Sequence, residues 1–364
     1  MIKLAITIGC LEIGGAETFV INLLKRLDYH KYRVLLLVLE KKYNTFLETE
    51  AERLPIRTIY LNKKKGFRPV TMIKITGILK KFKPDVVHGN VGGMTYLFLY
   101  IFLTKSVKTI HTIHTLANIE YGFIKRKILS RLYRKRRVIP VAISPAVKRS
   151  IVKTYRMKDE MVILIHNAVD ISRFKTKRTY YYEKITIGHI GRYEPVKNHR
   201  TIIGVYRYLI KKYSNLSLCL IGNGSLFSEI EKEVRGLNNV TMIKKTTNVE
   251  KYLSSIDIFF LPSVYEGMPL SLLEAMAAGT VIVSTNVGGI SDIVENGVNG
   301  YLIDDCFDIE AFVSTFQYLI NDKEEMKAIS IRNQHKAQDY DLKRLVYDYE
   351  KLYSQEAYDA NGRV

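Results

Sequence analysis

The sequence contains no tryptophan and only three cysteines, although its 364 residues are enough for two domains with full hydrophobic cores. Cys10, Cys219 and Cys306 lie far apart, with neither an even count nor metal-ligand spacing. We interpret them as small core residues in a reducing compartment, which disfavours a disulfide framework and a zinc site.

Long apolar runs are also missing. The longest, residues 94–103, is about half the roughly 20 residues that a membrane-spanning helix needs. Residues 1–9 are apolar, but Glu12 follows closely and no small-residue cleavage site appears. A buried first strand is therefore expected there instead of a signal peptide.

Acidic residues are scarce in the first half of the chain. Residues 1–175 hold 34 Lys and Arg against 12 Asp and Glu, a net charge of +22, whereas residues 176–364 have a net charge of −2. The densest basic segment contains Lys125, Arg126, Lys127, Arg131, Arg134, Lys135, Arg136 and Arg137. Basic segments beside apolar side chains suit an anionic lipid surface. The alternative is a solvated basic face. Nucleic acid is not expected as a partner, since no nucleic-acid-binding motif is recognisable.

Strands and helices alternate in two similar halves. Residues 6–9 and 185–188 share the tetrapeptide Ile-Thr-Ile-Gly, and each is followed by a glycine loop and an amphipathic helix. This alternation predicts an α/β fold with mostly parallel sheets, covered on both faces. The polar residues 170–180 are interpreted as a linker, and a helix over 342–353 is expected to return to the first domain.

The most informative pattern is a pair of carboxylates eight positions apart, Glu266 and Glu274. A strand is predicted to end at residue 261, Gly267 permits a sharp turn, and Pro269 suits the first position of a helix. The N–H groups of residues 268–272 would then point into the turn and attract an anionic oxygen. Glu274 is the only charge of this helix, so hydroxyl groups of a ligand are favoured as its partners over protein donors.

Other loops are expected to converge on one cleft, because ligands of parallel sheets bind beyond the carboxyl ends of the strands. Arg192 and Lys197 are suited to neutralising a diphosphate, and an exposed charge pair is the alternative. The remaining candidates are glycines that fit either a turn or a close approach to phosphate or nucleotide, namely Gly14, Gly15, Gly191, Gly222 and Gly224.

Three histidines, His88, His111 and His114, lie near predicted strand ends. The last two suggest a metal site, but no third ligand of suitable spacing follows and an offset of three places them on opposite faces of a strand. A structural role is the alternative for each. Asp339 and Asp341 are interpreted as solvated surface residues.

The segment from Glu266 to Gly279, followed by residues 287–302, resembles the E-x7-E region of family-4 retaining glycosyltransferases with the GT-B fold. The glycine loops and the Arg192–Lys197 pair occur in the order typical of that family. The resemblance implies two Rossmann-like domains that face each other across a cleft. Residues 1–172, joined by a C-terminal helix at 342–364, would bind the acceptor, and residues 173–341 the nucleotide-sugar donor.

The resemblance also implies roles for single residues. Arg192 and Lys197 would hold the donor diphosphate, Glu266 would contact the transferred sugar, and His114 would reach that sugar from the opposite domain. Glu274 would bind the ribose. The other donor-binding residues would be Gly14, Gly15, Gly191, Gly222, Gly224, Gly267, Met268, Pro269 and Leu270.

The implied reaction is a retaining transfer without metal or cofactor. The expected donor is UDP-hexose or UDP-N-acetylhexosamine, and the expected acceptor is a lipid-linked or cell-envelope glycan, as in capsule or exopolysaccharide synthesis. The protein is expected in the cytoplasm, peripherally on the inner face of the cell membrane, and its basic first half supports the membrane part of this expectation. A non-catalytic nucleotide-sugar or membrane-binding protein is the alternative. A dinucleotide-dependent oxidoreductase is disfavoured, because the first loop does not fit G-x-G-x-x-G.

The sequence departs from the family's usual pattern at two places. Ala168 stands where glycine is usual, and residues 244–248 lack the glycine that is usual near the site of the nucleobase.

Overall fold

The structure of the protein is a computed structural model that describes residues 1–104, 107–174, 183–244, 246 and 248–354. The chain divides into two compact units, one comprising Met1–Asn167 with the segment that begins at Leu342, and the other Ala168–Asp341. The second unit thus begins at residue 168, not 173. The predicted linker starts with a 3-10 turn of the second unit, Ile171–Phe174, and its residues 175–180 lie outside the described residues.

The first unit is built on a parallel sheet of seven strands, in the order β3-β2-β1-β4-β5-β6-β7. The strands are β1 (Ile2–Ile8), β2 (Tyr32–Val38), β3 (Arg57–Tyr60), β4 (Val86–Gly89), β5 (Lys108–Ile113), β6 (Ile139–Ala142) and β7 (Ile163–Leu164). The helices are α1 (Gly15–Arg26), α2 (Phe46–Glu52), α3 (Pro69–Phe82), α4 (Gly93–Leu103), α5 (Ala117–Glu120), α6 (Phe123–Arg134) and α7 (Pro145–Tyr155). The central strands are almost wholly buried because helices cover both faces of a parallel sheet.

The second unit repeats this plan with a parallel sheet of six strands, in the order β10-β9-β8-β11-β12-β13. The strands are β8 (Ile185–Ile190), β9 (Leu216–Ile221), β10 (Val240–Ile243), β11 (Ile258–Leu261), β12 (Val281–Thr285) and β13 (Gly300–Ile303). The helices are α8 (His199–Leu209), α9 (Phe227–Glu233), α10 (Val249–Leu253), α11 (Leu270–Ala277), α12 (Ile309–Asn321) and α13 (Lys323–Lys336). The two parallel sheets confirm the predicted α/β fold.

In both sheets the strand order reverses beside the first strand. β1 lies between β2 and β4, and β8 lies between β9 and β11. At such a reversal the loops after the two central strands leave in opposite directions, which opens a crevice where ligands of α/β proteins bind.

The shared tetrapeptide occupies different positions in the two units. Gly9 follows the end of β1, whereas Gly188 lies inside β8, where a Cβ atom would be 2.3 Å from Cδ1 of Ile256. The repeat is therefore one of strand, loop and helix order, and the four matching residues are not structurally equivalent.

The final helix, α14 (Leu342–Ser354), packs against the first unit through buried tyrosines. Tyr353 OH lies 2.8 Å from Nδ1 of His88, and Tyr349 OH lies 2.7 Å from Oγ1 of Thr112. His88 Nε2 lies 2.7 Å from the same Thr112 oxygen. Both ring nitrogens of His88 are thus hydrogen-bonded, and burial lowers its pKa well below the usual value. His88 is a neutral structural residue.

The longest apolar run of the sequence folds as α4, an 11-residue helix that is mostly buried in the first unit. Across the described ranges of the chain, every helix is too short or too polar to cross a lipid bilayer.

Candidate active site

A group of charged and polar side chains in the second unit lies at the carboxyl ends of β8 and β11. A 3-10 turn, Pro195–Lys197, follows β8, and the loop after β11 leads to Glu266. The N–H of Val264 donates to the carbonyl of Val196 at 2.9 Å, which joins the two loops. Because β8 and β11 are neighbours in the sheet, these loops bring Lys197 against Glu266 across 69 positions of sequence.

Two donors hold one carboxylate oxygen of Glu266. Lys197 Nζ lies 2.5 Å from Oε1, and Ser263 Oγ donates to the same oxygen at 2.7 Å. The side chains of Lys197 and Glu266 are only 15% and 12% exposed, so solvent screens this ion pair weakly. Oε2 has no hydrogen-bond partner in the described part of the chain, and it is the oxygen that a ligand hydroxyl can reach.

A glycine pair after β12 fixes the backbone of Glu266. Gly288 has φ +56°, and a Cβ atom there would lie 1.8 Å from the carbonyl oxygen of Glu266. Gly289 N–H donates to the same oxygen at 3.3 Å. Only glycine fits at position 288. The sequence-based set of site residues missed Gly288 and Ser263, although the adjacent glycines Gly288 and Gly289 were a usable signal for the former.

The helix that follows Glu266 in sequence, α11, differs from the prediction at its N-terminus. Pro269 is the residue before the helix, and α11 begins at Leu270. Leu272 and Leu273 donate to the carbonyl of Pro269 at 3.2 and 3.4 Å, so the predicted set of free N–H groups was too large. Within the described residues, the N–H groups of Leu270 and Ser271 have no acceptor. These two donors and the helix dipole can attract an anionic oxygen. Gly267 and Met268 are buried in the turn before the helix.

Arg192 lies on the exposed loop after β8 and forms no salt bridge with the residues that the structure describes. Its neighbour Glu194 accepts hydrogen bonds from the N–H and the hydroxyl of Ser225 at 3.1 and 2.8 Å. These bonds, and then the charge of Arg192, lower the pKa of Glu194. Glu194 is thereby held by Ser225 and forms no salt bridge with Arg192 among the described residues. The exposed guanidinium of Arg192 is accessible to a ligand anion.

Three predicted donor-binding glycines are explained by packing within the protein, Gly222 and Gly224 against backbone atoms and Gly191 against a side chain. A Cβ atom on Gly222 would lie 1.8 Å from the carbonyl oxygen of Gly191, and one on Gly224 would lie 2.5 Å from that of Tyr193. A Cβ atom on Gly191 would meet Nε2 of His189 at 2.8 Å. Close packing of the loops after β8 and β9 therefore accounts for these glycines without a nucleotide.

The glycines before α1 behave differently. A Cβ atom on Gly14 would collide with the carboxylate of Glu17, whereas one on Gly15 would meet nothing within 4 Å. Gly15 is the first residue of α1, and its missing side chain leaves open space at a helix N-terminus. This space is compatible with the phosphate contact implied for Gly15.

Glu274 lies in α11 one turn beyond its start and is partly exposed. Burial raises the pKa of Glu274 to about 7, against the opposing charge of Arg173. Arg173 is itself paired with Glu250 at 2.9 Å. Among the residues described, the side-chain carboxylate of Glu274 accepts no hydrogen bond, so the protein itself does not satisfy this carboxylate.

His114 lies just after β5 in the first unit. Its Nε2 lies 2.9 Å from the side-chain oxygen of Asn90, so this nitrogen carries the hydrogen. Burial, and then the charge of His111, lowers the pKa of His114 to about 3, which keeps the ring neutral. His111 is fully buried and bonded to Tyr133 OH at 2.6 Å, which makes it structural. No three His, Cys, Asp or Glu side chains group as metal ligands in the part of the chain described.

Comparisons with known families agree with this architecture. The family described as Glycosyltransferase Family 4 matches residues 13–173, and the family described as Glycosyl transferases group 1 matches residues 170–336. The chain belongs to the GT-B glycosyltransferases. Its relatives include proteins of capsule and polysaccharide synthesis.

This glycosyltransferase is 26% identical over 345 residues to the capsular polysaccharide biosynthesis glycosyltransferase CapH of Staphylococcus aureus, covering 90% of this chain and 93% of CapH. It is 24% identical over 277 residues, 70% of each chain, to the UDP-Gal:alpha-D-GlcNAc-diphosphoundecaprenol alpha-1,3-galactosyltransferase of Escherichia coli. Among solved structures, Anabaena Alr3699/HepE in complex with UDP and glucose is similar with a TM-score of 0.80 at 18% identity, over 97% of this chain and 100% of that chain.

The raised pKa of Glu274 leads to a prediction about the stability of the glycosyltransferase. Its pKa is higher in the folded state (about 7) than the ordinary 4.5, so ionisation costs more after folding. This cost is absent below pH 4.5, grows as the pH rises to about 7, and is constant above that. We expect Glu274→Gln to raise the free energy of unfolding by about 1–3 kcal/mol at pH 8 and to leave it unchanged near pH 4. Urea unfolding at both pH values measures the difference, and equal effects at the two would contradict the assignment.

The basic segment of the glycosyltransferase lies on α6 and the turn after it. Lys127, Arg131, Arg134, Lys135 and Arg136 are exposed, and Lys125 is half-buried. Two members of the predicted set point elsewhere. Arg137 donates to the carbonyls of Ile101 and Thr104 and so closes the C-terminus of α4. The Nε of Arg126 is buried. The cations available to a lipid surface are therefore fewer than the sequence indicates.

Proposed function

We propose that this glycosyltransferase moves a hexose or N-acetylhexosamine from a UDP-sugar to a lipid-linked or cell-envelope glycan with retention of anomeric configuration and without a metal or cofactor. The observation that carries the proposal is the Lys197–Glu266 pair beside the start of α11. It places a cation, a carboxylate oxygen and helix N–H groups together at the crevice of the second sheet.

Each residue has a distinct chemical task in the proposed reaction. Arg192 and Lys197 neutralise the diphosphate, and two cations with a helix start supply the stabilisation that a metal ion gives in other transferases. Oε2 of Glu266 accepts from a hydroxyl of the transferred sugar, and Glu274 accepts from the ribose hydroxyls. We retain the implied contact of His114 with the sugar, which it would make as a neutral ring.

The proposed step breaks the bond between the anomeric carbon and the β-phosphate oxygen. The acceptor hydroxyl oxygen forms its new bond to that carbon on the same face, which retains the configuration. The electron pair of the broken bond leaves with UDP, and a phosphate oxygen of UDP takes the acceptor proton. Lys197 and Arg192 stabilise the charge that develops on this leaving group.

The relatives and the charge distribution support the donor and acceptor classes. The solved relative holds UDP and glucose, and the E. coli relative is named for transfer to a diphosphoundecaprenol-linked sugar. The net charge of +22 in residues 1–175 supports a peripheral position on the anionic inner face of the cell membrane.

The test pairs UDP-glucose, UDP-galactose, UDP-N-acetylglucosamine and GDP-mannose with polyprenyl-diphosphate sugars in detergent. Mass spectrometry detects the extended glycan, and NMR of the new anomeric proton gives its configuration. We expect a product of retained configuration from a UDP-sugar, also in the presence of EDTA. Donor binding without any product would favour the non-catalytic alternative. An inverted product would contradict the mechanism, and loss of activity in EDTA would contradict metal independence.

A further inference from the structure

Asn90 directly follows β4, at the crevice beside β1 where the strand order of the first sheet reverses. Its N–H donates to the carbonyl of Thr7 in β1 at 2.9 Å. Its own carbonyl accepts from the N–H groups of Gly93 and Met94 at the start of α4, at 2.8 and 3.2 Å. Hydrogen bonds on both sides therefore fix the backbone from which this fully buried side chain extends.

Within the described residues, the side chain of Asn90 makes one hydrogen bond, and its partner is His114. Oδ1 of Asn90 lies 2.9 Å from Nε2 of the ring. Nδ2 of Asn90 is buried and has no partner among the same residues. A buried donor without an acceptor costs free energy, so the stability of the fold does not explain why an amide occupies this position. The amide does provide a neutral oxygen that accepts the Nε2 hydrogen of His114.

Two contacts set the orientation of the His114 ring. Asn90 accepts from Nε2, and Phe19 of α1 packs against the ring edge-to-face, with the two centroids 4.8 Å apart. The other ring nitrogen, Nδ1, has no hydrogen-bond partner in the part of the chain that the structure describes, and the ring is only partly buried. With the hydrogen on Nε2, Nδ1 carries a lone pair and can accept from a ligand hydroxyl.

The neutral state of His114 depends on the groups around it. Its titratable neighbours are His88 of β4 and His111 of β5, which are both buried, and α1 contributes the ring of Phe19. Burial, and then the charge of His111, lowers the pKa of His114 to about 3. The neutral amide of Asn90 accepts from Nε2 without opposing this shift, whereas a carboxylate in its place would favour the imidazolium, which has no lone pair for a hydroxyl hydrogen.

We propose that Asn90 is a positioning residue for sugar transfer, which holds the hydrogen of His114 on Nε2 so that Nδ1 accepts from a hydroxyl group of the transferred sugar. The inference rests on the proposed function for its sugar, and it adds the residue that sets the direction of this hydrogen bond. The alternative is a bond that only joins β4 to β5. Such a bond would affect stability, but it would not make transfer depend on pH when its acceptor becomes a carboxylate.

The position of the hydrogen can be measured without a substrate. Long-range proton–nitrogen NMR of the protein labelled at histidine distinguishes a ring nitrogen that carries hydrogen from one that does not, and His114→Gln identifies the signals of His114. Between about pH 5 and about pH 8 we expect a neutral ring with its hydrogen on Nε2. A hydrogen on Nδ1, or an imidazolium near pH 7, would overturn the proposal. This result needs no substitution at position 90.

Asn90→Asp tests the consequence for transfer. The new carboxylate favours the imidazolium of His114, in which both ring nitrogens carry hydrogen, and a rising pH restores the lone pair of Nδ1. We expect kcat/KM relative to the wild type to be about a hundredfold low near pH 6 and to rise at least about tenfold by about pH 9. The affinity for UDP, which lacks the transferred sugar, should not change. A ratio that is constant over these pH values would overturn the proposal.

Asn333→Asp is the matched control, because Asn333 is also fully buried but bonds Thr280 and Asn299 in the second unit. It should lower the melting temperature, while its kcat/KM relative to the wild type stays independent of pH. Transfer by a wild type that carries the His114 hydrogen on Nδ1 would refute this inference and leave the proposed function intact. Absence of transfer from every UDP-sugar would refute the proposed function, and the sugar contact with it, even with the hydrogen on Nε2.

Discussion

Glu266→Gln is expected to lower kcat/KM for sugar transfer by about a thousandfold without unfolding the protein. The substitution keeps the shape of the side chain but removes the negative charge that faces Lys197 at 2.5 Å. Without that charge, the ion pair that holds the side chain is lost, and the sugar hydroxyl meets a neutral amide group in place of a carboxylate. Steady-state kinetics with the identified donor and acceptor measure the loss, and calorimetry measures UDP binding, which should change only a few-fold.

Two further variants sharpen this expectation. Lys197→Met should cost nearly as much alone as together with Glu266→Gln, because the two side chains act as a unit and their effects are not additive. Glu229→Gln is the matched control, because Glu229 pairs with Arg200 at 2.6 Å on the exposed surface of the same unit. It should leave turnover unchanged. Turnover of Glu266→Gln within tenfold of the wild type would remove Glu266 from the reaction.

Gly222→Ala is expected to lower the free energy of unfolding by more than about 4 kcal/mol. Gly222 has φ +151°, and the new methyl group would lie 1.8 Å from the carbonyl oxygen of Gly191. No side-chain rotation relieves this clash, because the backbone fixes the position of the Cβ atom and the carbonyl oxygen belongs to the backbone. Relief requires the loops after β8 and β9 to separate, which also displaces Arg192. Chemical denaturation and turnover are both expected to report the damage.

The matched control for that clash is Gly236→Ala. Gly236 also has a positive φ, +83°, but a Cβ atom there meets nothing within 4 Å. Its cost should be only the backbone strain, about 1–2 kcal/mol. Gly15→Ala separates fold from function, because open space surrounds position 15 and the fold should tolerate the methyl group. A loss of turnover without a loss of stability would support the phosphate contact. A small effect of Gly222→Ala on stability would contradict the packing argument.

Much of the fold follows from local pattern. The strand predicted to end at residue 261 ends at Leu261, and the helix predicted after Gly267 begins at Leu270. These predictions succeed because the spacing of apolar residues that distinguishes a strand from a helix is set by residues close together in sequence. The first position of α11 was wrong by one residue, since the boundary depends on which N–H groups find acceptors.

The partners of the site residues were less predictable. Two glycines, Gly222 and Gly224, fit a nucleotide loop in the sequence, but they are required by the backbone of the preceding loop. The sequence places Arg137 among solvent-facing cations, yet it caps α4. Neither contact is visible in a linear pattern, because each joins segments that only the folded chain brings together.

The order of residues by itself determined that this protein is an α/β chain with glycine loops after its strands, cations in its first half and two carboxylates on either side of a helix start. Those properties are local, so they can be predicted from the composition of the chain and the spacing of its residues. Only the tertiary structure decided that Lys197 holds Glu266, that burial raises the pKa of Glu274, and that Asn90 accepts from His114. The reason is physical: strand order in the sheets sets which loops become neighbours, and neighbouring loops set the charge and solvent around each side chain.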